Sequence, residues 1–218
     1  MWSWDYTFMI LPEILSALKI TVSATFVAFA VALVVGLILT LARRSNFKPL
    51  SLFAQGFVEF VRNTPLLVQL YFIFYVLPEH GLSLSPFVAG VIGLGLHYST
   101  YLSEVYRGGI ESIPPGQWEA AKALNFSPLD TWRKIILPQS IPPVIPVLGN
   151  YLITMFKETP VLSAITLVEI MQTAKMLGSH SFRYLEAFTI VGVMFLILSY
   201  SSSLMVRRLE VRLNLKSA

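Results

Sequence analysis

The residues of this sequence that could act on a ligand are few, and most stand beside a break in an apolar run. Lys157, Glu158 and Thr159 end an uncharged stretch and precede Pro160, which disfavours helix at the residue before it. Charge beside a broken helix at membrane depth marks a lined cavity or a buried structural pair; at an outer interface it would simply be solvated. The sequence leaves these readings open. Glu104 and Arg107 stand three apart, with Arg62 earlier in the chain. That spacing fits an interfacial pair anchoring a helix end, worth roughly a few tenths of a kcal/mol. The alternative is an inner gate that Arg62 joins. Gln69, Tyr71, Tyr75, Tyr98, Ser99, Tyr101 and Asn150 could line a polar path, though each alone also serves as glue between helices. His97 has no partner at metal-ligand spacing and reads as a packing or hydrogen-bonding residue.

The inventory argues against an enzyme. There is no G-x-x-x-x-G-K-[ST] loop to hold nucleotide phosphates, so the chain does not itself hydrolyse ATP. There is no H-E-x-x-H and no G-x-S-x-G. With no cysteine, disulfides and thiolate metal sites are excluded. An intramembrane enzyme built on His97, Glu104 or Glu158 remains an alternative. So does a stand-alone carrier, although such carriers show paired halves and no internal repeat stands out here.

These residues must be positioned by membrane-spanning helices. The 218 residues are 55% hydrophobic and only 13% charged, with mean hydropathy +0.68, whereas soluble domains are about a quarter charged. Ile20 to Ala42 carries no charge; its 23 residues make roughly 34 Å of helix, enough to span the hydrocarbon. Five spans are expected, at about 14–42, 57–78, 84–106, 143–157 and 185–206, within one transmembrane domain over 1–218. In the fourth, Pro138, Pro142, Pro143 and Pro146 crowd the first half, so a regular helix is expected only from about Pro143. Val161 to Val168 is apolar but too short to span and reads as a re-entrant or outer-surface helix.

The net charge of +4 is spread in short basic groups between apolar runs. That suits membrane topology rather than nucleic acid. With the N-terminus outside, Arg43, Arg44, Lys48, Arg62, Arg107, Lys122, Arg133, Lys134, Arg207, Arg208, Arg212 and Lys216 lie inside, twelve of the sixteen basic residues. The C-terminus and the 107–138 loop are then cytoplasmic. The N-terminus lacks the basic region of a cleaved signal peptide, so the first span is expected to act as its own insertion signal.

The 107–138 loop has its own architecture. After Pro114-Pro115-Gly116, Trp118, Ala121 and Leu124 recur every three residues and share a helix face. Asn125 tolerates the left-handed conformation that ends a helix. Ser127-Pro128-Leu129-Asp130 then caps a second short helix running to about Leu137. Glu119-Ala120-Ala121, three residues, Asn125, nine residues, and Ile135-Ile136-Leu137-Pro138 resemble the EAA motif of ABC importer permeases. Asn125 stands where that motif has glycine, the other residue suited to such a corner. Arg62-Asn63-Thr64-Pro65-Leu66-Leu67-Val68-Gln69, Ser103-Glu104-Val105-Tyr106-Arg107-Gly108-Gly109-Ile110 and Lys157-Glu158-Thr159 resemble segments of the polar amino acid permeases (the histidine, glutamine and arginine type). Within that group the chain is similar to the ectoine and hydroxyectoine permeases.

The resemblance implies an all-α permease subunit of the type I importer fold, multi-pass in a bacterial inner membrane. Its loop would be a coupling helix docking on a cytosolic ATPase dimer. Ala120 and Ala121 would allow close seating, Trp118 and Leu124 would anchor, and Glu119 would pair with a basic residue, although on pattern alone Glu119 fits a solvated charge equally well. ATP and magnesium would belong to the ATPase; no cofactor is expected in this chain. The other implied partners are a second permease subunit, alike or different, a periplasmic or extracellular solute-binding protein, and lipid.

Overall fold

A computed structural model describes residues 2–212. Lys216 and the C-terminus, placed inside by the charge argument, lie outside the described residues. The described chain is all helical. Ser3 caps α1 (Trp4–Arg43), its hydroxyl accepting from the Tyr6 amide, and the charge-free run Ile20 to Ala42 makes up more than half of its 40 residues. Every fourth residue from Ala24 is small: Ala24, Ala28, Ala32, Gly36 and Thr40, all buried. That stripe lets α4 (Pro86–Glu111) lie close beside α1 and parallel to it. A Cβ on Gly36 would stand 2.9 Å from the backbone oxygen of Ser99, and Thr40 Oγ1 lies 3.1 Å from Ser103 O. At the opposite end, Ser3 N donates to Glu186 Oε1 at 3.0 Å, tying the start of α1 to the start of α9 (Tyr184–Arg212).

Trp4–Arg43, Pro128–Ile165 and Tyr184–Arg212 are each long and apolar enough to cross a membrane, and a fourth crossing exists if one bent pair counts as a span. α4 is long enough, at 26 residues, but its composition is more polar than that of these three. Its polar groups Ser99, Thr100 and Ser103 are fully buried between helices and make hydrogen bonds to preceding backbone carbonyls.

Four expectations change. The predicted second span, 57–78, is neither straight nor confined to those residues. It comprises α2 (Lys48–Arg62) and α3 (Leu66–Tyr71), the latter continued by a π turn (Phe72–Val76) and a 3-10 turn (Leu77–His80), with a bend of 105° between the two halves. Pro65 disfavours helix at Thr64, and the charge-free run had concealed that local break. The second loop helix does not stop at Leu137, and regular helix in the predicted fourth span, 143–157, does not wait for Pro143. α6 (Pro128–Thr131) passes through a π turn (Trp132–Ile136) directly into α7 (Leu137–Glu158). The π turn widens the helix just before Pro138, and neighbouring helices make the later prolines tolerable. Finally, of the two readings of 161–168, a re-entrant or an outer-surface helix, burial removes the second. Thr159–Ile165 is a 3-10 turn whose Leu162 and Ile165 are fully buried in the core with Ala28, Leu94 and Tyr98. Thr166 then turns left-handed at φ 63° before α8 (Ile170–Ser181).

Candidate functional site: a stapled loop and a polar membrane face

The loop between α4 and α7 is a fixed corner. α5 (Pro115–Ala123) ends as the sequence suggests, with Asn125 at φ 54°. Phe126 N donates to Ala121 O and Asn125 N to Lys122 O, both at 3.0 Å. These paired bonds satisfy carbonyls that a helix end otherwise leaves open. Ser127 Oγ then accepts from Asp130 N at 3.1 Å and donates to Asp130 Oδ2 at 2.8 Å. The corner is held to the bundle by rings. Trp118 meets Trp132 edge to face at 5.4 Å, and the Arg44 guanidinium covers Trp132 at 5.6 Å.

This arrangement sorts the loop residues. Ala121 is only 1% exposed: its small side chain seats α5 on its own chain, so the idea that it offers a docking surface is corrected. Trp118 is half-buried against Trp132. Glu119, Ala120 and Leu124 point away, and Leu129 joins them; the two leucines are 71% and 76% exposed. Leu129 was passed over because it sits behind a capping motif rather than on the three-residue repeat. Arg44 and Trp132 were missed because their contact spans nearly ninety residues of chain.

Beside the loop, Glu104 gathers three arginines from three helices. Its Oε1 meets Arg43 Nη1 at 2.5 Å and Arg62 Nη1 at 3.6 Å, and its Oε2 meets Arg107 Nη2 at 2.5 Å. Arg107 also reaches Glu111 at 2.6 Å. The structure thus brings the three predicted gate residues together and adds Arg43 and Glu111. Because α1 and α4 run in parallel, the arginine ending α1 arrives beside the acid near the end of α4.

On α7, Asn150, Tyr151, Thr154, Lys157 and Glu158 form a polar stripe; Asn150 and Lys157 are exposed and the others half-buried. Lipid does not solvate such a face, so it must meet protein or water. Lys157 and Glu158 make no ion pair with each other among the described residues. Facing the stripe from α4, Tyr98 and Tyr101 complete a triangle with Tyr151. The ring centroids lie 5.8 Å (98–101), 6.1 Å (98–151) and 6.1 Å (101–151) apart. The Glu158 carboxylate lies beside the Tyr98 hydroxyl, and the Arg62 guanidinium covers Tyr101 at 5.2 Å.

Other path candidates have local duties. Gln69 Nε2 braces the bend, 2.8 Å from Val61 O and 2.7 Å from Thr64 Oγ1, while its Oε1 meets His97 Nδ1 at 3.1 Å. Thr159 is fully buried and donates to Phe156 O at 2.6 Å. Tyr71 and Tyr75 meet edge to face at 5.6 Å, and the Tyr75 hydroxyl donates to Ala164 O at 3.2 Å. One acid escaped the sequence reading altogether. Glu169 is fully buried and caps α8, one oxygen accepting from Gln172 N at 2.8 Å while the other has no partner. Burial pushes its carboxyl up to about 7.

Residues 32–215 match the family described as "Binding-protein-dependent transport system inner membrane component". The chain is 44% identical over 208 residues to a probable amino-acid ABC transporter permease of Sinorhizobium fredii, covering 95% of this chain and 90% of that one. It is 34% identical to an arginine transport system permease of Bacillus subtilis, covering 86% of each. Among solved structures, it superposes on a crystal structure of an amino acid ABC transporter with histidines, with TM-score 0.93 and 32% identity, covering 97% of this chain and 99% of that one.

Proposed function

The chain belongs to the family of binding-protein-dependent transport system inner membrane components and is a non-catalytic ABC importer permease subunit, and from that premise we propose that it carries amino acids or related small polar solutes. The observation that carries the mechanism is the stapled corner with two exposed leucines at its tip. A floppy loop would absorb a push in bending. A corner closed by hydrogen bonds on both sides of Asn125 and pinned through Trp118 and Trp132 passes it on.

In this reading the bundle makes five crossings, with α4 as the polar central one and the bent α2–α3 pair as another. Ser3 faces outward, and the loop and C-terminus face the cytoplasm, since that orientation puts most basic residues inside. Glu119, Ala120, Leu124 and Leu129 dock on a cytosolic ATPase, with Asn125 holding the corner and Trp118 and Ala121 seating the helix from within. The ATPase dimer holds ATP and magnesium. The polar stripe with Tyr98, Lys157 and Glu158 faces a second permease subunit across the solute path, with Gln69 and Thr159 shaping the helix breaks beside it. Arg62, Glu104 and Arg107 close the path at its cytoplasmic end. A solute-binding protein delivers from outside.

The test is reconstitution in proteoliposomes with a cognate ATPase, a partner permease and a binding protein. Uptake should require ATP and the binding protein. The solute panel starts with arginine, glutamine and cystine and includes ectoine. Uptake by the chain alone, with no ATPase, would overturn the proposal in favour of a solitary carrier.

A further inference from the structure

We propose that the cavity between the arginine-bearing ends of α1 and α4 and the polar face of α2 binds the phosphodiester of an anionic phospholipid headgroup. This rests on the permease reading for one point alone: that end of the bundle faces the cytoplasmic leaflet, whose surface is anionic. The cavity measures about 180 Å³ and is lined by Thr40, Arg43, Arg44, Gln55, Arg107 and Glu111. At about 30 Å³ of liquid per water molecule, that is the room of roughly six waters, enough for a phosphate group and its first substituents.

The sequence of α2 already turns a polar face this way. Lys48, Ser51, Gln55, Glu59 and Arg62 recur at three- and four-residue steps and share one side of the helix. Ser51 Oγ donates to Arg43 O at 2.8 Å, and Arg62 reaches Glu104 at 3.6 Å, which sets that side against the ends of α1 and α4. Phe53 and Phe60 are exposed on the other side. α2 therefore has a polar surrounding on one side and an apolar one on the other, as a helix does where headgroups meet hydrocarbon.

The charges around the cavity do not cancel. Four guanidiniums, Arg43, Arg44, Arg62 and Arg107, stand against two carboxylates, Glu104 and Glu111. Glu111 is taken up by Arg107 at 2.6 Å. Arg43 gives Nη1 to Glu104, while its Nε and Nη2 have no partner among the described residues. Arg44 lies over Trp132 and makes no ion pair among the described residues, and the Gln55 amide makes no hydrogen bond there. Water is the ordinary solvent of a single surface arginine. Here Arg43 is only 19% exposed, and it shares one cavity with a second unpaired guanidinium and a neutral amide, a donor set suited to phosphate oxygens. A phosphate held there bridges α1 to α2 and steadies Arg44 over the Trp132 ring.

The experiment titrates the purified complete transporter with phosphatidylglycerol, phosphatidylcholine or inorganic phosphate and reads bound lipid by native mass spectrometry. Phosphatidylglycerol should bind roughly tenfold more tightly than phosphatidylcholine, and inorganic phosphate at equal concentration should not displace it. Gln55 makes no hydrogen bond within the described chain, so its variants change the charge of the cavity without breaking a contact. Gln55→Glu should weaken phosphatidylglycerol binding about fivefold and Gln55→Lys should tighten it about fivefold, while Arg212→Gln, at the exposed end of α9, leaves it unchanged. Equal affinity for the two lipids, Gln55 variants that bind like the wild type, or an equal fall in both of them would overturn the proposal. So would a matching loss in Arg212→Gln, the mark of diffuse attraction, or displacement by inorganic phosphate, which would assign the cavity to a free anion. Each of these results leaves the permease reading standing. A wild-type complex without ATP-dependent uptake would overturn that reading and leave the lipid titration to be judged by itself.

Discussion

Removing the two leucines at the tip of the loop should uncouple the ATPase without disturbing the bundle. Leu124 and Leu129 are 71% and 76% exposed, so nearly three quarters of each residue is available to a partner. Full burial of a leucine side chain is worth about 1.5–3 kcal/mol. The available share is therefore roughly 1–2 kcal/mol each, and truncation to alanine retains a little of it. The double variant Leu124→Ala/Leu129→Ala should then lose about 2–3 kcal/mol of docking energy, or roughly thirty- to a hundred-and-fiftyfold in Kd. The assay is titration of purified ATPase onto the permease in nanodiscs, read by anisotropy and by binding-protein-stimulated ATP hydrolysis. The thermal midpoint of the permease alone should stay at its wild-type value, because neither side chain is packed within the chain. Ala121→Arg provides the contrast. It forces a long charged side chain into a site only 1% exposed, so it should destabilise the loop itself and lower that midpoint. Unchanged ATPase affinity in the double leucine variant would refute the reasoning.

Three further outcomes are expected. Single cysteines at Ser3 and Gln117 should be labelled by an impermeant thiol reagent from opposite sides, Ser3 from outside intact cells; labelling of position 117 from outside reverses the topology. Glu158→Gln should reduce solute uptake while the complex still assembles, and wild-type uptake would return Glu158 to a structural role. Glu169 gives a pH signature: its carboxyl is raised from 4.5 to about 7 on folding, so the folded state holds the proton more tightly than the unfolded one. Stability contributed by that proton is full below about 4.5, falls as pH rises through the window to about 7, and is level above it. The difference is on the order of 3 kcal/mol, and Glu169→Gln should abolish the fall in a detergent melting series; parallel curves for the two proteins would contradict the assignment.

The parts legible in sequence were the local ones. Asn125 could be placed in the left-handed region because residue type and spacing demand it, and Ser127 could be read as a cap for the same reason. The apolar run of α1 announces itself. The bend at Asn63–Pro65 was written just as locally, in a proline that disfavours helix at the residue before it, but the expected span at 57–78 was drawn across it. Pro138 misled in the other direction. A proline stops an α-helix by removing one donor, and only the neighbouring π turn, which no residue type marks, shows how the chain continues. The direction of Ala121, the gathering of Arg43 with Glu104, and the stack of Arg44 on Trp132 depend on which helices become neighbours. That is decided by the small-residue stripe on α1, whose spacing is visible but whose partner is not.

The unbroken run from Pro128 to Glu158 has a mechanical consequence. The tip that carries Leu129 and the turn that carries Glu158 belong to one rod, so they cannot move independently. From Trp132 to Glu158 the rod is about 39 Å long at about 1.5 Å per residue, and a tilt of about 5° at its base would sweep the far end through roughly 3 Å. Such a lever needs a pivot rather than a relay of side chains. A Cβ on Gly109 would come 2.3 Å from Val144 and 3.2 Å from Ser140 O, which makes that crossing of α4 and α7 a close bearing for the rod. The stroke at the polar stripe is then set by where along its length the rod is held.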